Sequence, residues 1–152
     1  MKIQRVRFNI QNTLFILVIA MLALNNSYAA ESDTGAAHKM VIQVSTDDAR
    51  TQKIALNNAV NLQKALGMDN VQIEIVAYGP GLSLLTNKNK QADRVKSLSQ
   101  QDIKFSACGN TMKKVEKKTG KKPQLTEGVG IVKAGVVRIL ELQEKGYAYL
   151  RP

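Results

Sequence analysis

Short apolar runs alternate with amphipathic stretches from Met40 to the end of the chain, and this alternation constrains the fold more than any other feature. Met40-Val41-Ile42-Gln43-Val44 is a nearly continuous apolar run, the pattern of a strand covered on both faces. Ser45-Thr46-Asp47-Asp48 then offers helix N-caps and acidic groups for a first turn. A helix over 48–66 follows, with Ala55, Leu56, Ala59, Leu62 and Leu66 as its inner stripe and Gly67 as its stop. Residues 71–78 predict the second strand, with Val71, Ile73, Ile75 and Ala77 on one face. Gly79-Pro80-Gly81 breaks it, and Leu82, Leu84 and Leu85 suit one short helical turn. A helix over 91–100 turns Val95 and Leu98 inward, and a third strand over 102–107 leads into a helix over 110–118. Residues 125–132 fit a short strand or an extended loop carrying Gly128 and Gly130. A last helix over 134–145 is expected to bury Val136, Ile139 and Leu140, with Gly146 as its cap and a final strand over 147–150.

Strand followed by helix, repeated four or five times, predicts an α/β fold: three layers, α/β/α, around a mainly parallel sheet of about five strands with right-handed crossovers. Ligands of such sheets bind beyond the carboxyl ends of the strands. Asp47, Asp48, Tyr78, Gly79, Cys108, Asn110, Gly128 and Gly130 are the residues expected at that edge.

The most chemically pointed stretch is Ile103-Lys104-Phe105-Ser106-Ala107-Cys108-Gly109-Asn110-Thr111-Met112. It predicts a buried strand running straight into a helix, with Met112 and Val115 facing inward and the only cysteine of the chain at the joint. Gly109 would let the backbone turn tightly there. A helix start offers unpaired N–H groups and about half a positive charge, which favours a thiolate over a thiol of pKa about 8.5. Asn110 and Thr111 are candidates to orient an anion or, more simply, to cap the helix. Asp47 and Asp48 form a carboxylate pair suited to acid–base work only if the two approach closely, and otherwise to capping. Tyr78 and Gly79 either wall a pocket or form a plain turn.

Other chemistries have little support. One cysteine makes no internal disulfide, and His38 is the sole histidine, so neither a multi-histidine metal site nor a Cys/His or Ser/His pair is expected. No CxxC, HExxH, Walker loop or GxGxxG is present, and no cofactor is expected. The run 113–122 holds six lysines against one glutamate, a solvated face or an attraction for acidic partners. Without interleaved aromatics or arginine forks it does not predict nucleic-acid binding.

The chain opens with Lys2, Arg5 and Arg7, has no acidic residue before Glu31, and then carries an apolar run over 13–24. Asn25-Asn26 and Ser27-Tyr28-Ala29 complete the layout of a cleavable secretory signal over 1–29. Twelve helical residues reach roughly 18 Å, short of a bilayer core of about 30 Å, so no transmembrane span is expected after cleavage. The mature chain is expected in a periplasm, with a loose start over 30–38 and one domain over 39–152. Cleavage removes three basic residues from a formal charge of +10, leaving a strongly basic domain.

Four segments carry a family resemblance: Ser106-Ala107-Cys108-Gly109-Asn110-Thr111-Met112, the opening His38-Lys39-Met40-Val41-Ile42-Gln43-Val44-Ser45, Ala55-Leu56-Asn57-Asn58-Ala59, and Ala134-Gly135-Val136-Val137-Arg138-Ile139-Leu140-Glu141-Leu142-Gln143. They resemble the DsrE/DsrF-like family of sulfur-relay and oxidation proteins, and more closely an exported branch of it. The resemblance implies a three-layer α/β/α fold and homo-oligomers, trimers or hexamers. In relay members a cysteine after a strand accepts sulfur as a persulfide and passes it between donor and acceptor proteins; Cys108 holds that position here. The expectation is an exported persulfide carrier or thiol-redox factor, with Gly109, Asn110, Thr111, Asp47, Tyr78 and Gly79 as surrounding candidates. The alternative is a non-catalytic, homo-oligomeric binding module in which Cys108 only packs.

Overall fold

In a computed structural model the described residues are 35–152. The expected signal segment over 1–29, and most of the loose start over 30–38, lie outside the described residues.

Five strands form one sheet: β1 (His38–Val44), β2 (Val71–Ala77), β3 (Ile103–Cys108), β4 (Val129–Val132) and β5 (Ala148–Leu150). All pairings are parallel and the spatial order is β4-β3-β2-β1-β5. Four α-helices connect them: α1 (Ala49–Leu66), α2 (Ala92–Ser99), α3 (Gly109–Thr119) and α4 (Gly135–Glu144). The ambiguous segment over 125–132 is thus a strand over its last four residues. A seven-residue 3-10 segment, Gly79–Leu85, carries the buried leucines after β2.

The chain steps from β1 to β2, β3 and β4 in one direction, then crosses back to place β5 beside β1. Steps in one direction put their helices on one face, and the return puts its helix on the other. The cores bear this out. Ile42, Ile73, Ile75, Ile103 and Phe105 pack with Leu56, Val95, Leu98 and Met112 from α1, α2 and α3. On the opposite face Val41 and Val76 form a smaller core with Ile139 and Leu142 of α4, against which Tyr78 and Tyr147 pack. Strand alternation therefore aims Glu74, Ser106 and Cys108 toward the α4 face.

This division corrects the expectation for α4. Val136 and Leu140 are not buried; they are 66% and 56% exposed. The stripe that faces the sheet is Gly135, Arg138, Ile139 and Leu142, a helical i, i+3, i+4, i+7 set. The reason is the charge beneath it: Glu74 on β2 selects Arg138 for the inner face, which turns the valines outward.

Two glycines are also placed differently. Gly128 and Gly130 lie before and early in β4, at the amino edge of the sheet, so the carboxyl end of that strand is Val132-Lys133-Ala134 instead.

Candidate functional site

Helix α3 leaves β3 toward one face, while α4 leaves the neighbouring β4 toward the other. Two helix starts thus diverge around a common carboxyl edge of the sheet. Cys108 sits there as the N-cap residue of α3, in extended conformation at φ −71° and ψ 113°.

Gly109 is required by closeness rather than by a turn. A Cβ on it would stand 3.0 Å from the Val132 carbonyl oxygen and 3.4 Å from that of Lys133. The Asn110 N–H donates to the Lys133 carbonyl at 3.2 Å, tying the first turn of α3 to the end of β4. Gly135 opens α4, and a Cβ there would meet the Tyr78 ring, whose Cδ1 is 3.0 Å away. The Gly79 N–H donates to Thr111 Oγ1 at 3.0 Å. That leaves the Thr111 hydroxyl proton free to point at the sulfur.

Cys108 is only 5% exposed. Its burial pushes the thiol up, since a thiolate loses solvation. Against this, the Thr111 hydroxyl and the N–H groups of Gly135, Thr111 and Asn110 hold it, on balance, below the ordinary thiol value. The Cys108 side chain closes no capping hydrogen bond onto α3. Donors placed toward the sulfur favour its charged form. Two helix starts, α3 and α4, supply them.

The structure thus brings together Cys108, Gly109, Asn110, Thr111, Tyr78 and Gly79. It does not bring Asp47 or Asp48 to them. Those residues follow β1, two strands from β3, or roughly 10 Å at the usual strand spacing. Asp48 is the N-cap of α1: its carboxylate accepts from the Thr51 hydroxyl and N–H, both at 2.7 Å, which holds its pKa below the usual carboxylate value. Asp47 is exposed. The lysines of the 113–122 run lie exposed along α3 and the turn after it.

Sequence reasoning missed a buried charged group on the same face. Glu74 is 1% exposed and takes a forked contact from Arg138, Nε at 2.9 Å and Nη2 at 2.8 Å. Ser106 Oγ donates to the same carboxylate at 2.6 Å. The signal was available: an acidic residue in the middle of a strand covered on both faces needs a partner. Gly135 was missed too, because the pattern of α4 shows no chemistry until the sheet order is known.

A protein-family model described as the DsrE/DsrF-like family matches residues 38–152. The chain belongs to the DsrE/DsrF-like family. No curated protein matches it. Among solved structures, a protein of unknown function from Methanobacterium thermoautotrophicum is similar, with 32% identity and a TM-score of 0.68. The match covers 76% of this chain and 99% of that one. Among the described residues of this DsrE/DsrF-like chain no group of three or more His, Cys, Asp or Glu side chains could hold a metal ion. No helix among them is long and apolar enough to cross a membrane.

Proposed function

We propose that this DsrE/DsrF-like protein carries sulfur on Cys108, as a persulfide carrier or thiol-redox factor. The observation that supports this reading is the convergence of two helix starts and the Thr111 hydroxyl on the single sulfur, with the thiol held below its ordinary value. Such donors stabilise a thiolate and, equally, the anionic end of a persulfide. In the transfer step the Cys108 thiolate attacks the outer sulfur of a donor persulfide, R–S–SH. A new S–S bond forms, the donor's S–S bond breaks, and the donor leaves as R–S⁻ with the electron pair and takes a proton from water. The outer sulfur keeps its hydrogen, and no net oxidation occurs. Handing the sulfur to an acceptor thiolate is the same exchange in reverse.

The basic start, apolar run and small residues before Ala30 support export, so the reading is of a periplasmic protein. The exposed Val136, Val137 and Leu140 of α4 support self-association into a homo-oligomer. The test is intact-mass measurement after incubation with a low-molecular-weight persulfide. Wild type should gain about 32 Da, one sulfur atom, and Cys108→Ser should gain nothing. A native protein that takes up no sulfur under these conditions would reject the reading.

The near-complete burial of Cys108 favours a second reading, a binding module in which the cysteine packs and nothing turns over. In that case Cys108→Ala changes stability and leaves assembly as it was.

A further inference from the structure

The first turn of α4 presents the Gly135 N–H to the Cys108 sulfur, and beyond the backing of Gly135 by Tyr78 few of its own side chains fix it to the sheet. Gly135 has no side chain. Val136 and Val137 are turned out to solvent. The apolar anchors of α4 on the sheet, Ile139 and Leu142, lie farther along the helix. Arg138 is the side chain of that turn that grips the sheet. It stands three residues from Gly135 on the same face, about 4.5 Å along the axis. Its fork holds Glu74 of β2, and the same carboxylate accepts from Ser106, two residues before Cys108 on β3. Planar, two-pronged pairing fixes direction as well as distance. A buried ion pair is a poor source of net stability, and its best-attested use is to set position.

Building on the reading of Cys108 as a thiolate, we propose that Arg138 and Glu74 are positioning residues: they lock the start of α4 over the sulfur and so set the reactivity of a residue they do not touch. The ionisable groups on the elements packed around Cys108 include Tyr78 after β2, Lys104 on β3, Lys133 after β4, Lys113 and Lys114 on α3, Glu141 on α4, which Arg138 also contacts at 3.5 Å, and the Glu74–Arg138 pair itself. The pair presents opposite charges together, so its own field at the sulfur is small beside the effect of placing a helix start there.

The experiment is a thiolate titration of the full chain, followed by ultraviolet absorbance and by alkylation rate; one cysteine makes both signals unambiguous. The double variant Glu74→Gln/Arg138→Met removes both charges at once, so a change reports position and not a leftover charge. At a pH below the midpoint its thiolate fraction should fall roughly two- to tenfold, the effect of one helix start on a partly buried charge. Arg138→Lys keeps the charge but not the fork and should fall between wild type and the double variant; it also serves if the double variant does not fold. Leu98→Ala, in the core on the other face, should lower stability and leave the titration where it was. Titrations of both clamp variants that superimpose on wild type, with stability lowered as in Leu98→Ala, overturn the proposal and leave the thiolate reading intact. A wild-type midpoint at the free-thiol value overturns both.

Discussion

Removing one hydroxyl from Thr111 tests the site most directly. Thr111→Val keeps the shape of the side chain, so packing around it is conserved, but it deletes two links. The first is the donor to Cys108, the largest of the influences that favour the thiolate. Hydrogen bonds to charged groups contribute about 1.5–3 kcal/mol, and sulfur is a weak acceptor, so the lower end applies. That is about tenfold, since each 1.4 kcal/mol is a factor of ten. At a pH below the midpoint, the thiolate fraction of the variant should therefore fall about tenfold, and the titration should move toward higher pH. The second link is the acceptor for the Gly79 N–H, held at 3.0 Å. A half-buried N–H without its partner costs about 1–3 kcal/mol, read as a lower midpoint in denaturant. Thr111→Ser keeps the hydroxyl and should restore both properties. If Thr111→Val titrates like wild type while its stability falls, the hydroxyl serves only Gly79, and the proposed role of Thr111 at the sulfur is wrong.

Three further outcomes follow from the structure. Because the folded thiol lies below its unfolded value, the folded protein loses that proton first as pH rises. Stability should therefore climb with pH from the folded midpoint up to the free-thiol value near about 8.5, by at most about 1.4 kcal/mol per pH unit, and Cys108→Ser should lack this slope in urea titrations. Gly81→Ala should be destabilised by about 1–3 kcal/mol or more, since its Cβ would overlap the Val44 carbonyl, a backbone atom that cannot swing away; thermal melts of soluble protein read this, and a wild-type melting temperature would contradict it. If the proposed self-association runs through α4, Leu140→Glu, which places a charge in its outward stripe, should reduce the sedimentation coefficient without changing the far-ultraviolet circular dichroism; a variant that sediments like wild type removes α4 from the proposed surface.

Much of the fold was legible because most strands are apolar runs bounded by turn residues. Every expected strand and helix is present, with ends displaced by a residue or two except at β4, which occupies only the last four residues of the segment over 125–132. What the sequence hid was the face each helix covers. The α4 stripe could be read with Val136 and Leu140 inside only while Glu74 was ignored. An acid on β2 and an arginine 64 residues later become partners through sheet order, which local periodicity does not contain. The buried Gln52 of α1 was overlooked for the same reason. Its amide bonds the Thr46 carbonyl at 3.0 Å and Ser83 Oγ at 2.8 Å, partners that only the folded chain brings near. For the site, the position of Cys108 at the head of α3 was visible in the strand-to-helix change of period. The contribution of α4 was not, because Gly135 looks like any glycine until β4 is placed beside β3.

The order of the strands gathers more donors near the one cysteine than a single helix start supplies. A thiol at one helix start feels one set of free N–H groups, and burial to the extent seen here opposes them. The reversal of chain direction after β4 brings a second helix start to the same edge from the other face. Two sets of donors then act on one sulfur, and the thiol is held below its ordinary value. The same geometry limits the site. Gly109 and Gly135, at the starts of the two helices, are each backed by atoms that a single methyl would strike. Growth of the Gly135 side chain by one carbon should press α4 against Tyr78 and disturb the thiolate titration as surely as the loss of Thr111.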